Sequence, residues 1–251
     1  MRQTKNNTKK KEILISFIII TLISLSIYVT AVPSQPSITY LSNETSSTAG
    51  IGRASVGDKG GYITTVDINA VQQNYAWKAY VGNVSGKLIL EDQAQFSIYE
   101  WNLAQISSGN VYISRNQTVS WGAISCSNRT VIQNEDTFLN LNSSNANSIN
   151  KTFNGSIHKS FIVSGLTYSN STCPAISTYI NDAPQSSGES NKFQEVLLQD
   201  SLSNLVYMTV LEQDHAGFDN NQYDFQAIIA ENEAVALTNP TTYYFYIELG
   251  G

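Results

Sequence analysis

Hydrophobic and polar residues alternate along much of the chain with a period of two, which is typical of half-buried β-strands. The clearest case is residues 242–249, where Tyr243, Phe245, Ile247 and Leu249 alternate with Tyr244, Tyr246 and Glu248. Similar runs predict strands over residues 62–68, 75–81, 87–91, 96–101, 110–115, 118–125, 160–163, 193–199, 205–212 and 223–230. Short strands separated by turn residues at intervals of about 8–12 predict an all-β fold, a β-sandwich of Ig-like or jelly-roll-like type.

The segments between these strands contain the residues that favour turns and loops. Gly82 and Gly86 bracket a predicted hairpin turn between the second and third strands. Residues 134–156 and 182–192 are rich in Asn and Ser and are predicted to form loops. No amphipathic helix of ten or more residues is expected after residue 32.

The N-terminal region has a different pattern. Residues 13–32 carry no charge, and twenty helical residues span about 30 Å, the thickness of a hydrocarbon core. Five basic residues precede this stretch and the next one is Arg53, so residues 1–12 are expected in the cytoplasm and the rest outside. The chain then divides into a Ser/Thr/Gly-rich linker, residues 33–60, and an extracellular domain, residues 61–251.

Three interpretations of residues 13–32 stay open. The length of the apolar run favours an uncleaved signal-anchor, a single-pass membrane segment. The small residues before position 32 suit cleavage after Ala31, which would release a secreted protein. A pilin-like leader would explain Glu12 at the head of the apolar run, but Lys11 stands where that pattern expects a small residue.

Charge is distributed unequally along the chain. From Val32 onward there are nine basic and nineteen acidic residues, a balance of −10. Binding to phosphate groups requires clustered Lys and Arg, so the composition excludes nucleic acid as a partner and argues against docking on anionic lipid.

Sequons and cysteines indicate an oxidising, extracellular compartment. The expected extracellular part contains eight Asn-x-Ser/Thr sequons, each in a predicted turn or loop: Asn43, Asn83, Asn116, Asn128, Asn142, Asn150, Asn154 and Asn170. The two cysteines, Cys126 and Cys173, are expected to form one disulfide, because two thiols without a nearby His pair are too few for a zinc site.

Candidate chemistry is sparse. The histidines, His158 and His215, lie in no nucleophile motif, and His158 is expected on the surface beside a sequon loop. No cofactor is expected, with calcium as the one alternative. Its candidate ligands lie in a loop between two strands and would equally form an ordinary turn: Asp214, Asp219, Asn220, Asn221 and Asp224.

Aromatic and acidic residues suggest two further functions. Trp77, Trp101 and Trp121 could form a sugar-stacking platform, although strand-like neighbours favour a role in the core. A glycosidase would need two opposed carboxylates, for which Glu100, Glu195 and Glu212 are candidates.

Several strings resemble a recurring β-rich module of archaeal cell-surface glycoproteins. They cover most of residues 61–249 and include W-K-A-Y-V-G-N-V-S-G-K-L-I-L from Trp77, Y-E-W from Tyr99, W-G-A-I-S-C from Trp121 and Y-Y-F-Y-I-E-L from Tyr243. The resemblance implies an extracellular role and brings no catalytic or binding residue with it.

The sequence therefore favours a non-enzymatic surface or envelope glycoprotein domain for adhesion or assembly. The alternatives are a carbohydrate-binding module, a pilin-like filament subunit and a glycan-active enzyme. All eight sequons precede Ser171, so the sugar-free C-terminal strands are the expected site of self-association or of contact with other surface proteins or glycans. Tyr244 and Tyr246 are the candidate interface residues, on a row predicted to be exposed opposite the core row.

Overall fold

The computed structural model describes residues 32–42, 74–92, 96–103, 106, 108–235 and 238–250, and these are mostly β-strand. The strands are β1 (Trp77–Gly82), β2 (Gly86–Glu91), β3 (Ser97–Leu103), β4 (Gly109–Ser114), β5 (Ser125–Cys126), β6 (Phe161–Val163), β7 (Leu166–Tyr168), β8 (Ala175–Ser177), β9 (Gln194–Gln199), β10 (Leu205–Val210), β11 (His215–Ala216), β12 (Gln222–Tyr223), β13 (Phe225–Ala230) and β14 (Tyr244–Leu249). The helices of this part of the chain are α1 (Arg129–Phe138), α2 (Ile149–Thr152) and a 3₁₀ turn (Trp121–Ala123). The expectation of an all-β fold is confirmed in its general form, since the described residues are mostly β-strand with few helices.

One six-stranded antiparallel sheet forms the centre of the fold. Its order is β14-β4-β10-β9-β5, and β8 pairs with β9 beside β5. Four two-stranded antiparallel pairs accompany it: β1 with β13, β2 with β3, β6 with β7, and β11 with β12.

Both faces of the central sheet are buried. On one face, side chains such as Ile113, Leu197 and Tyr207 pack with the two helices and with the β1–β13 pair. On the other face, Tyr112 and Met208 belong to a second cluster that includes the β6–β7 hairpin. A strand that is buried on both sides needs apolar residues on both of its faces, which explains the consecutive apolar residues Val196, Leu197 and Leu198 in β9 and residues 205–208 in β10.

Helix α1 corrects the expectation that no ten-residue helix follows residue 32. Its N-cap residue is Asn128, whose side chain accepts the Val131 N–H at 3.0 Å. Two acidic residues, Glu135 and Asp136, lie on its buried face beside Val131 and Ile132. Hydrophobic periodicity misses a helix whose inner face is half acidic.

An ion pair with Arg115 offsets the cost of burying the carboxylate of Glu135. The Arg115 guanidinium donates to both carboxylate oxygens of Glu135 and lies over the ring of Phe138, 3.5 Å from the centroid. Asp136 instead accepts the backbone N–H groups of Ile149 and Asn150 at the start of α2. Residues 134–156, predicted as one long loop, therefore contain the end of α1 and all of α2.

Two predicted strand arrangements are wrong. β1 and β2 do not form a hairpin: β1 pairs with β13, placing Trp77 opposite Ala230, and β2 pairs with β3. Residues 118–125, predicted as a strand, form the 3₁₀ turn and only the first residue of the two-residue strand β5.

The beginning of the predicted linker contacts the sheet. Ser34 forms an isolated bridge with Ile247 on the outer side of β14, through backbone hydrogen bonds of 2.9 and 2.8 Å, and Pro33 is buried. The apolar segment up to residue 31, most of the linker and the predicted strand 62–68 lie outside the described residues. Within the described ranges, no helix has the length and apolar character needed to cross a membrane.

Candidate interaction surface

The predicted disulfide is present. Cys126, at the end of β5, is bonded to Cys173, which precedes β8, with the two Cα atoms 5.0 Å apart. Cys173 is fully buried in the cluster beneath the β6–β7 hairpin. The bond closes a segment with 47 residues of sequence separation, so it restricts the unfolded chain strongly.

His158 is not the surface residue that the sequence suggested, because it is 0 % exposed. Its Nε2 lies 2.9 Å from the backbone nitrogens of both Thr172 and Cys173, and its Nδ1 lies 2.7 Å from the Lys159 carbonyl oxygen. Nε2 must accept from the two N–H groups, so Nδ1 carries the proton and donates to the carbonyl. The imidazole is therefore a structural group.

The candidate calcium ligands serve hydrogen bonds within the protein. Asp224 is buried and accepts the backbone N–H groups of Val84 and Asp214 at 2.7 and 3.0 Å. Asp219 accepts from Asn221 and from the hydroxyl of Tyr223. No group of three or more His, Cys, Asp or Glu suited to a metal occurs in the described part of the chain, and calcium binding stays a prediction.

The row predicted to be exposed on β14 is mostly buried. Tyr246 is only 4 % exposed, and its hydroxyl donates to the carbonyls of Asn116 and Gln117. Glu248 accepts from the Tyr112 hydroxyl and the Ser164 N–H, and Tyr244 is half-buried. Because β14 has a core on both faces, alternation does not separate an inner row from an outer one, and the premise for an interface at Tyr244 and Tyr246 is wrong.

The seven described sequons differ in exposure. Six asparagines are exposed, as expected for turns and loops: Asn83, Asn116, Asn128, Asn142, Asn154 and Asn170. Asn150 is half-buried, and its Nδ2 donates to the Ser143 carbonyl at 2.9 Å. Asn43 lies outside the described residues, and glycosylation itself stays a prediction.

The three tryptophans do not form one platform. Trp77 is half-buried, and its indole N–H donates to the Asn147 carbonyl at 2.8 Å. Trp121 packs between Tyr112 and Tyr246. Only Trp101 is exposed, on β3.

The carboxyl groups considered for hydrolysis have separate surroundings. Glu195 is fully buried and accepts the Ile228 N–H at 2.9 Å, and burial raises its pKa well above the ordinary value. Glu212 is paired with Lys159 and Lys192. Glu100 lies on β3, paired with Lys87.

The β2–β3 hairpin exposes more apolar surface than its secondary structure requires. Six large side chains of this hairpin are between 43 % and 71 % exposed: Ile89, Leu90, Phe96, Ile98, Tyr99 and Trp101. Soluble proteins expose such side chains singly, whereas a contiguous group marks a contact surface. We refer to β2, β3 and the turn between them as the hairpin arm.

One face of the hairpin arm is apolar, whereas the other carries an ion pair beside the exposed side chain of Ile89. The register pairs Leu88 with Trp101 and Leu90 with Tyr99, so these four positions share a face. The rings of Tyr99 and Trp101 lie 5.7 Å apart, centroid to centroid, on that face. Lys87 and Glu100, whose side chains are 3.2 Å apart, lie on the opposite face. The arm is thus amphipathic, and its apolar face is in contact with solvent.

The base of the hairpin arm is attached to the core. Leu103, the last residue of β3, and Val84, which precedes β2, pack against the cluster that lies beneath the β1–β13 pair. A Cβ atom on Gly86 would lie 2.5 Å from Leu249 Cδ1, so the arm approaches the end of β14 closely at this glycine. The apolar residues farther along the arm, at the end of β2 and the start of β3, are exposed.

No protein-family model matches this chain, and neither a curated protein nor a solved structure matches it significantly. The resemblance to archaeal cell-surface modules therefore stays a prediction.

The sequence predicts both strands of the hairpin arm but not the exposure of their apolar side chains. Residues 88–90 and 98–101 contain the large apolar residues that a buried or half-buried strand also shows, so the sequence does not distinguish them from core strands. The one signal for this surface in the sequence is the density of large apolar residues on both sides of the turn between β2 and β3.

Proposed function

We propose that this protein is a non-enzymatic adhesion or assembly domain of a cell surface, and that the apolar face of the hairpin arm is its contact surface. The observation that carries this proposal is the exposure of Leu90, Tyr99 and Trp101 on one face of an amphipathic ribbon. A two-stranded hairpin is at best marginally stable in water, so covering this face stabilises the arm as well as the complex.

The disulfide between Cys126 and Cys173 supports an extracellular location, since disulfides persist in oxidising compartments. The exposed sequons and the uncharged stretch over residues 13–32 support a glycoprotein held at the membrane by a signal-anchor, or secreted after cleavage near Ala31. The β1–β13 pair packed against the central sheet supports the finer description of the domain as a β-sandwich.

A carbohydrate-binding module is the second candidate, because Tyr99 and Trp101 are exposed neighbouring rings of the kind that stack on sugars. Their planes are inclined by 38° to one another, however, and Leu90 and Ile98 beside them offer no hydrogen-bonding group to a sugar. The surroundings favour an apolar protein surface as partner. A pilin-like filament subunit is one form that such an assembly could take.

The test is a double substitution, Tyr99→Ser with Trp101→Ser, in the full chain expressed at a cell surface. Assemblies are captured by chemical cross-linking of intact cells and sized after solubilisation in a mild detergent. We expect cross-linked species to fall about tenfold or more, because aromatic residues at the centre of a contact each contribute on the order of 2 kcal/mol.

The matched control is Tyr179→Ser with Leu202→Ser, which removes two apolar side chains that are exposed outside the arm. This control should assemble as the unsubstituted chain does. Equal cross-linking of the arm variant and the control, with both folded, would contradict the proposal. Binding of a glycan by the unsubstituted chain, lost in the arm variant, would favour the carbohydrate-binding candidate instead.

A further inference from the structure

The hairpin arm has an outer strand edge as well as an apolar face. On the basis of the proposed function, we infer that the outer edge of β2 pairs, antiparallel and about a two-fold axis, with β2 of a second copy of this chain. The contact is then a strand-edge pairing, distinct from the apolar face of the arm. It rests on three observations, which concern the edge, the charges and the number of strands.

The two edges of the arm differ in regularity. Leu90 pairs with Tyr99 and the next residue, Glu91, pairs with Ser97, so β3 has one extra residue, Ile98, at that point. The bulge interrupts the ladder and bends the edge of β3, which is how proteins prevent strands from pairing there. β2 has no extra residue over Gly86–Glu91, and within the described residues its only strand partner is β3. The edge of β2 is therefore the one suited to receive another strand.

The sequence of β2 complements itself in the antiparallel direction. A two-fold axis at Ile89 brings Ile89 opposite its own copy and Leu88 opposite Leu90. The same register sets Lys87 of each copy opposite Glu91 of the other, giving two cross-strand pairs of opposite charge. An isologous contact requires this kind of self-complementarity, because the same patch must serve both copies.

Pairing through β2 produces a four-stranded sheet in the order β3-β2-β2-β3. Three or more strands with an apolar face form a stable unit, whereas a lone hairpin does not. Residues that face one another across an antiparallel pair point to the same side of the sheet, so the apolar faces of the two arms become continuous. Self-pairing would thus double the contact surface assigned to the proposed function.

A cysteine cross-link on the proposed two-fold axis tests the pairing. In the full chain, Ile89→Cys places a thiol on the proposed axis, and the native cysteines are already bonded to one another. Mild oxidation should give an intermolecular disulfide dimer, because directly opposed Cβ atoms are about 4.5–5.5 Å apart and small shifts allow the bond. Tyr179→Cys, an exposed position outside the arm, is the background control.

Lys87→Glu or Glu91→Lys, each added to Ile89→Cys, opposes like charges twice and should lower the dimer yield about tenfold. Mixing these two singly substituted chains should restore disulfide-linked heterodimers, and Lys87→Glu with Glu91→Lys in one chain should restore homodimers. Glu100→Gln removes the charge that pairs with Lys87 inside the arm, an exposed ion pair, and should leave the yield unchanged. Thermal unfolding checks that each variant is folded.

Two results separate this inference from the proposed function. If yields do not depend on the charges, or no dimer forms above the Tyr179→Cys background, pairing through β2 is wrong. If Tyr99→Ser with Trp101→Ser still abolishes assembly on cells in that case, the apolar face binds a different partner and the proposed function stands. If that variant also assembles normally, both proposals fail.

Discussion

The imidazole of His158 accepts the backbone N–H of Cys173 at 2.9 Å, next to the disulfide that joins Cys173 to Cys126. His158 and Cys173 are both completely buried. The same nitrogen also accepts the Thr172 N–H, so a single side chain satisfies two adjacent backbone donors in a bend that has no strand partner there. The histidine and the disulfide together fix the segment between β7 and β8.

Replacing His158 with Ala should therefore destabilise the protein by about 2–4 kcal/mol, since it leaves a cavity and two buried N–H groups without an acceptor. His158→Gln, which retains an acceptor oxygen, should recover part of the loss. Urea unfolding measures both. His215→Ala is the matched control, because that ring is half-buried and contacts the Ala216 carbonyl. Equal losses at the two histidines would contradict the assigned role of His158.

Removing the disulfide should loosen the chain between its ends first. Replacing both Cys126 and Cys173 with Ser should lower the free energy of unfolding by roughly 4 kcal/mol, the value expected from loop entropy for this separation. Hydrogen exchange should increase most within residues 126–173, whereas β9 and β10 stay protected. Peptide mapping without reductant that finds two free thiols would refute the bond itself.

The buried carboxyl of Glu195 should make the stability of the fold depend on pH. Burial raises the pKa of this carboxyl well above 4.5, against the opposing hydrogen bond from the Ile228 N–H, so the folded state favours the protonated form. The resulting stabilisation is complete below pH 4.5 and is lost as the pH rises through the raised pKa of the folded state. Stability should thus fall on the alkaline side.

Glu195→Gln keeps the group neutral at every pH and should remove this loss. We expect a melting temperature about 2–4 °C higher than that of the unsubstituted chain at pH 8, and little difference at pH 4, with Glu233→Gln as an exposed control. Melting curves from pH 4 to pH 9 measure the effect. A variant that is less stable at pH 8 would show that the carboxylate is needed in its charged form.

Occupancy of the sequons should follow the surroundings of each asparagine. A glycan on Asn150 would displace its Nδ2 from the Ser143 carbonyl in a half-buried site, whereas Asn154 is exposed. Glycopeptide mapping of the protein from its native surface should find Asn154 modified and Asn150 unmodified. A glycan on Asn150 of the folded protein would contradict this prediction.

The strands were predictable because their signal is local. β4, β9, β10, β13 and β14 follow runs of β-branched and aromatic residues that identify a strand whichever partner it pairs with. Strand pairing was not predictable in the same way. Gly82 and Gly86 favour a turn, but the hydrogen bonds of β1 go to β13, more than 140 residues later, and no local pattern encodes that choice.

Burial was predicted least well where polar side chains lie inside. Buried Glu135 is paired with Arg115. Buried His158 accepts two backbone N–H groups, and the hydroxyl of buried Tyr246 donates to two carbonyl oxygens. Each partner comes from a distant part of the chain or from a bend that only the fold creates. The hairpin arm shows the opposite error, because its apolar side chains are predicted to be half-buried but are exposed in the described part of the chain.

Hydroxyl-radical footprinting on intact cells shows whether a partner covers the apolar face of the hairpin arm. Hydroxyl radicals modify exposed aromatic rings, and Tyr99 and Trp101 are both exposed in the isolated chain. On cells that display the protein, we expect strong protection of these two rings, compared with the purified full chain in detergent and with Tyr179 as the internal reference. Equal modification of Tyr99 and Trp101 in the two samples would mean that nothing covers the hairpin arm, and the proposed contact surface would be wrong.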